Sequence, residues 1–340
     1  MKILYAIQGT GNGHISRARD VVPALRQRAE VDVLVSGTEA EIDFPFPVRY
    51  RLKGLGFVFG KKGGIDIMDT FLKMDTGGLL KDIARIDIDK YDLVINDFEP
   101  VTAWACRERG LPCIALSHQC AVLSKKAPRP LKKDPFGRAV LKYYAPSTAR
   151  YGFHFSAFDR NIFTPVIRRE IREKDPSDEG HYTVYLPAYG ETRLLKNLGC
   201  FPDVRWEVFS KHHKETLTVE NMTIRPVDNG AFIDSMARST GVLCGAGFET
   251  PAEALFLKKK LLVIPMKAQY EQQCNAAALQ SMGVPVIRSL KRKHHAVIRR
   301  WLDTADVVPV DYPDITADII DRILAKHGHP EPAAPFAEMP

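Results

Sequence analysis

The sequence has no C-x-x-C pair, no His/Cys cluster at zinc-finger spacing, and no apolar run approaching the ~18 residues that cross a bilayer. The first two absences remove a structural zinc site, and the third removes a membrane-spanning helix. The six cysteines, Cys106, Cys113, Cys120, Cys200, Cys244 and Cys274, fit a reduced, cytosolic setting better than a disulfide framework. The opening Met-Lys-Ile-Leu-Tyr-Ala-Ile is apolar but too short for a signal-peptide core. Net charge is +7, yet no nucleic-acid recognition motif accompanies it, and no nucleic-acid partner is expected.

What is present is length and apolar content. The 340 residues suggest two domains, and 45% apolar residues supply two cores. Short apolar runs alternate with helical patterns, the signature of an α/β chain built on parallel sheets. In the first half, strands are expected at 2–8, 31–36, 48–52, 93–96, 113–117 and 153–156, with helices at 14–28 and 101–109. The second half repeats the pattern, with strands at 182–186, 206–209, 222–225, 241–244 and 261–265. Its helices are expected at 232–238, 251–256, 269–282 and 314–326. The division is then 1–160, a charged linker 161–180, 181–313, a final helix 314–327 that crosses back to the first domain, and a disordered, proline-rich tail 328–340. Two such sandwiches place a ligand in the cleft between them.

Strand one runs into Gln8-Gly-Thr-Gly-Asn-Gly-His14. Gly9, Gly11 and Gly13 let the backbone approach a ligand at a helix start. The spacing does not fit a dinucleotide fingerprint, because the third glycine would fall on His14 or Ser16, and no acidic residue ends the second strand. A Walker loop fails for want of Gly-Lys-Ser/Thr. His14 sits where loop meets helix, and the positive helix end there disfavours an imidazolium, which suits a general base. Its plainer role is to hydrogen-bond the loop. Asp97, at the carboxyl end of a parallel strand, could accept the Nδ1 proton and fix the tautomer. Alternatively Asp97 or Glu99 caps the next helix. Asp97-x-Glu99 alone does not make a metal site. His118 is the rival base.

On the other side lies Gly241-Val-Leu-Cys-Gly-Ala-Gly-Phe-Glu-Thr-Pro-Ala-Glu-Ala-Leu255. Thr250, Pro251 and Glu253 read as N-cap, N1 and N3 of a capping box. The same loop aims Gly245, Ala246, Gly247 and free amides into the cleft, where a diphosphate would meet a helix start. Gly190 ends a shorter loop after another strand. Glu271 and Gln272 are placed to hold several hydroxyls of a sugar. Between residues 125 and 142 crowd Lys125, Lys126, Arg129, Lys132, Lys133, Arg138 and Lys142, with Phe136, Leu141, Tyr143 and Tyr144. That is a solvated loop and helix, or a patch that docks on anionic lipid at the inner face of a membrane or on a phosphate-bearing acceptor.

Together these segments resemble two related glycosyltransferase families. Residues 232–283 are similar to the donor half of the bacterial family that adds N-acetylglucosamine to lipid I in peptidoglycan synthesis, glycosyltransferase family 28. The shared features are Phe-Ile-Asp-x-Met at 232–236 and the spacing from Cys244 through Gly247 and Thr250 to Glu253. The resemblance implies the GT-B architecture, two Rossmann-like domains facing each other across a cleft. It also implies that the Ile233 backbone meets uracil, Gly245–Gly247 the diphosphate and Glu253 the ribose, with Phe232 on the same donor side. Glu271-Gln272, and His14 with Asp97-Phe98, resemble the sugar-holding pair and the catalytic His and Asp of plant-type UDP-sugar transferases. Gly245 stands where those enzymes carry a phosphate-binding histidine, and Asn12 where the peptidoglycan family has glycine. Neither family's pattern extends over 45–90 or 124–150. The expected activity is inverting, metal-independent transfer from a nucleotide sugar that is a co-substrate, with no cofactor. The rivals are a nucleotide-sugar 2-epimerase or hydrolase, and a non-catalytic subunit that binds nucleotide sugar.

Overall fold

In the computed structural model, residues 1–10, 12–37, 44–54 and 76–328 are described. Among these, seven parallel strands make the first sheet: β1 (Lys2–Gln8), β2 (Glu30–Ser36), β3 (Tyr50–Leu52), β4 (Leu93–Asp97), β5 (Cys113–Leu116), β6 (Ala149–Phe153) and β7 (Ile162–Phe163). Their order is β3-β2-β1-β4-β5-β6-β7. The second sheet holds β8 (His181–Tyr185), β9 (Arg205–Ser210), β10 (Leu217–Val219), β11 (Met222–Pro226), β12 (Gly241–Gly245) and β13 (Lys260–Ile264), in the order β10-β11-β9-β8-β12-β13. Only β10 runs antiparallel to its neighbour there.

The central strands are apolar along their whole length because helices cover both faces. In β1, Ile3 to Ile7 are fully buried. Each sheet has one place where the chain reverses its direction of travel across the strands, between β1 and β4 and between β8 and β12. Loops leaving the two strands on either side of such a point diverge and open a crevice at the carboxyl ends. The two crevices face each other, and together they form a cleft of about 1000 Å³.

Three sequence expectations shift. A strand was expected at 153–156, but β6 runs Ala149–Phe153 and includes Gly152, the point where the helix His118–Leu123 crosses. A Cβ on Gly152 would lie 2.7 Å from the Ala121 nitrogen, so only glycine lets strand and helix touch. The charged connection is more ordered than expected: it carries β7, paired with β6, and the short helix Arg169–Arg172. The helix expected at 251 begins at Glu249, which places Thr250 and Pro251 inside its first turn and leaves no side-chain cap. The last helix, Thr316–His327, lies against the first sheet's helix Asn12–Arg26: Arg28 pairs with Asp321, and Tyr151 Oη meets His327 Nε2 at 3.0 Å. The tail 329–340 and most of the segment 38–75 lie outside the described residues.

Candidate active site

Two helix starts converge in the cleft. Asn12–Arg26 follows β1, and Glu249–Phe256 follows β12. They come so close that a Cβ added to Gly13 would sit 3.1 Å from Cγ of Glu249. Gly13 and His14 line the cleft; Gly11 lies outside the described residues.

His14 and Asp97 meet. Nδ1 of His14 is 2.8 Å from Asp97 Oδ1, and the carboxylate is wholly buried at the end of β4. The next residue, Phe98, holds a left-handed backbone (φ 58°), a strained conformation for an aromatic residue, and its ring stacks on His14 at 6.3 Å. That strain turns the chain at the site, so that β4 ends with Asp97 aimed at the ring and Glu99 aimed the other way. Glu99 caps the helix Pro100–Arg109, accepting from the Val101 and Thr102 amides at 2.7 Å each. The two acids thus divide the roles that the sequence left open.

Arg17 completes the cluster. One helical turn after His14, its guanidinium is 2% exposed and donates to both Asp97 oxygens at 2.8 Å. Its other arm crosses the cleft to the Glu249 carboxylate. Burial would push the Asp97 carboxyl up, but Arg17 and then His14 overcome it and hold Asp97 below the usual carboxylate range. Burial also works against the Arg17 cation, and Asp97 and Glu249 more than offset it. Glu249 goes the other way: burial, reinforced by neighbouring Glu253, raises it to about 7 against the pull of Arg17.

His118 is placed differently. It is 1% exposed, its Nδ1 lies 2.8 Å from the Phe153 carbonyl, its Nε2 meets Asn275 at 2.7 Å, and its ring stacks on Phe248 at 3.9 Å. Burial lowers its pKa. Both ring nitrogens are engaged, and the side chain ties the first sheet to the glycine loop of the second. In His14 the Nε2 atom instead faces the Gln119 amide at 3.4 Å, and Gln119 in turn donates to Glu271 at 3.1 Å.

The second-sheet residues divide between cleft wall and core. Gly247, Thr250, Glu253, Glu271, Gln272 and Phe232 line the cleft. Ile233 and Ala246 are buried at 2% and 0%, and Ala246 accepts from Asn275 Nδ2 through its carbonyl. Gly245 closes β12 close to Gln272. Gly190 caps the helix Glu191–Leu198, and its neighbours Pro187 and Ala188 reach the cleft. The expected capping box is replaced by an ion pair: both Glu253 oxygens bind the Arg168 guanidinium of the connection, Nη2 at 2.8 Å. Gln272 Oε1 accepts from the Met266 amide at 2.8 Å, fixing the loop before the helix Tyr270–Ser281.

Sequence reading missed Arg17, Gln119, Arg168 and Glu249. Arg17 carried a signal, since i and i+3 share a helix face and His14 points into the crevice. Arg168 lay in a stretch read only as a charged linker. Among the described residues, no group of three or more His, Cys, Asp or Glu side chains is arranged to hold a metal ion. No helix there is long and apolar enough to cross a membrane.

Solved structures share this fold. MurG of Acinetobacter baumannii is 16% identical, with a TM-score of 0.55 over 96% of this chain and 100% of that one. The Phytolacca americana glycosyltransferase UGT2, solved with UDP-2-fluoro-glucose and pterostilbene, is 14% identical, with a TM-score of 0.58 over 96% and 98%. The glycotransferase of kitacinnamycin is 14% identical, with a TM-score of 0.56 over 96% and 95%. These likenesses establish the GT-B fold. No curated protein matches the chain. The model of glycosyl transferase family 1 matches residues 1–305, and the chain therefore belongs to that family of glycosyltransferases.

Proposed function

We propose that the protein moves a sugar, with inversion, from a UDP-sugar to a hydroxyl acceptor, without help from a metal ion. The observation that carries this is the His14–Asp97 pair, 2.8 Å apart, facing the glycine loop and helix start of the second sheet across one cleft. In a single displacement, His14 Nε2 takes the acceptor's proton as its oxygen forms a bond to the anomeric carbon. The bond from that carbon to the phosphate oxygen breaks, and its electron pair leaves with the nucleoside diphosphate. Asp97 holds the ring and offsets the charge it gains. The Gly247 region and the first turn of Glu249–Phe256 stabilise the departing diphosphate, through backbone amides and the helix dipole.

Phe232 and Glu253 form the nucleoside end of this reading, and Glu271 and Gln272 the sugar end. The acceptor enters past Phe98, Val140 and Leu141, which line the same cleft. Beside them the helix Pro135–Tyr143 and the loop before it expose Leu131, Phe136 and Tyr143 among Lys132, Lys133 and Arg138. That surface suits peripheral contact with an anionic membrane and a lipid-linked acceptor.

Calorimetric titration with UDP, GDP, dTDP and NAD, with and without chelator, tests the donor reading. Micromolar UDP binding that chelator leaves unchanged is expected. Preference for NAD, or binding of no nucleotide, would contradict it.

A further inference from the structure

Arg17 belongs to the first sheet's half of the molecule, yet one arm of its guanidinium ends on Glu249, in the first turn of the helix expected to receive the diphosphate. The partner is unusual for its place. Two helix starts, Asn12–Arg26 and Glu249–Phe256, converge there, and each offers amides and a positive dipole to an anion. The anion that Arg17 meets between them is the Glu249 carboxylate, whose side chain keeps 20% of its surface exposed. Arg17 itself is held in place by its paired bonds to Asp97, so this arm stays fixed whichever anion it meets.

We propose that Glu249 is a placeholder, and that the sugar-bearing phosphate of the donor takes its position on Arg17, making Arg17 the side-chain contact to the leaving group. This rests on the nucleotide-sugar reading above. It supplies what the glycine loop lacks: Gly245 offers no side chain for the phosphate, whereas the Nη1 arm of Arg17 is a fixed, charged donor whose other two nitrogens stay on Asp97. It also links the two halves of the reaction, because the guanidinium that meets the leaving group is the one that holds the carboxylate of the base.

The charges around Glu249 favour the exchange. Arg17 and His14 face it from the helix Asn12–Arg26, Asp97 from the end of β4, Glu253 from its own helix, and Arg168 from the connection. A diphosphate arriving among Asp97 and Glu253 with its negative charges raises the cost of a charged Glu249. Glu249 is already pushed up to about 7, so it takes up a proton and releases Arg17.

The test is calorimetry with UDP and UMP, which differ by the sugar-bearing phosphate. In wild type, UDP is expected to bind more tightly than UMP. Arg17→Lys and Arg17→Gln should each cut that preference by roughly tenfold, with UMP affinity nearly unchanged. Glu249→Gln, which needs no rearrangement of Asp97, should tighten UDP binding at pH 8 and abolish the proton uptake seen when buffers of different ionisation enthalpy are compared. An unchanged UDP-to-UMP ratio in folded Arg17 variants overturns the proposal and leaves the donor reading standing. So does weaker UDP binding by Glu249→Gln. A wild type that binds neither nucleotide overturns both.

Discussion

His14 Nδ1 and Asp97 Oδ1 lie 2.8 Å apart although 83 residues separate them in sequence. The contact exists because β1 and β4 are neighbours at the sheet's reversal point, where Ile7 pairs with Asp97. The carboxyl end of β4 and the helix start that follows β1 therefore face the same crevice. The left-handed backbone at Phe98 then turns the chain away, so that only Asp97 addresses the ring.

Asp97→Asn is expected to affect chemistry more than binding. The amide cannot balance a charged His14 and favours the wrong tautomer, so the transfer rate should fall on the order of a thousandfold, far more than the loss of UDP affinity that follows from loosening Arg17. Because Arg17 loses its buried partner, unfolding in urea should show a loss of about 3 kcal/mol. Single-turnover rates alongside binding isotherms check the first point.

Stability should fall as pH rises across the range where Glu249 ionises. Its pKa is raised from 4.5 to about 7, so the folded protein keeps this proton after the unfolded chain has released it. Folding is therefore favoured less as pH climbs through that window. Glu249→Gln should remove a decline on the order of 2 kcal/mol between pH 4.5 and 7. Asp20, raised to about 6 mainly by burial, adds a smaller slope of the same sign that the variant keeps. Urea midpoints at several pH values measure both.

Glu253 carries two loads under the proposed reading, since Arg168 occupies one lone pair on each oxygen and the ribose hydroxyls would take others. Glu253→Gln should weaken UDP binding roughly tenfold and lower the melting temperature. It should also erase any preference for UDP over 2′-deoxy-UDP. A variant that keeps that preference would assign Glu253 to Arg168 alone.

Both sheets were legible in the sequence because parallel strands buried on two faces are written as short apolar runs. Lys2–Gln8 was read to the residue. His14 and Asp97 were legible because one opens the helix after such a strand and the other stands at a strand's carboxyl end. What could not be read was side-chain pairing between elements distant in the chain. Thr250, Pro251 and Glu253 have the local pattern of a capping box, but the helix starts earlier, at Glu249, and Glu253 finds a buried cation 85 residues upstream instead. A charge-assisted pair with Arg168 outweighs a cap worth about 1 kcal/mol. His118 looked equivalent to His14 from its place after a strand. Its engagement with Phe153 and Asn275 depends on how the two halves pack. The place of Gly152 inside β6 was not legible for the same reason, because its meaning lies in the helix that crosses it.

The most direct test of the account follows the anomeric configuration of the product by NMR, for wild type and His14→Ala, with the UDP-sugar and acceptor that support turnover. The account predicts a product of inverted configuration. It also predicts that His14→Ala binds UDP like wild type yet transfers at least a hundredfold more slowly. Retained configuration, or a His14→Ala variant that transfers at the wild-type rate, would contradict it.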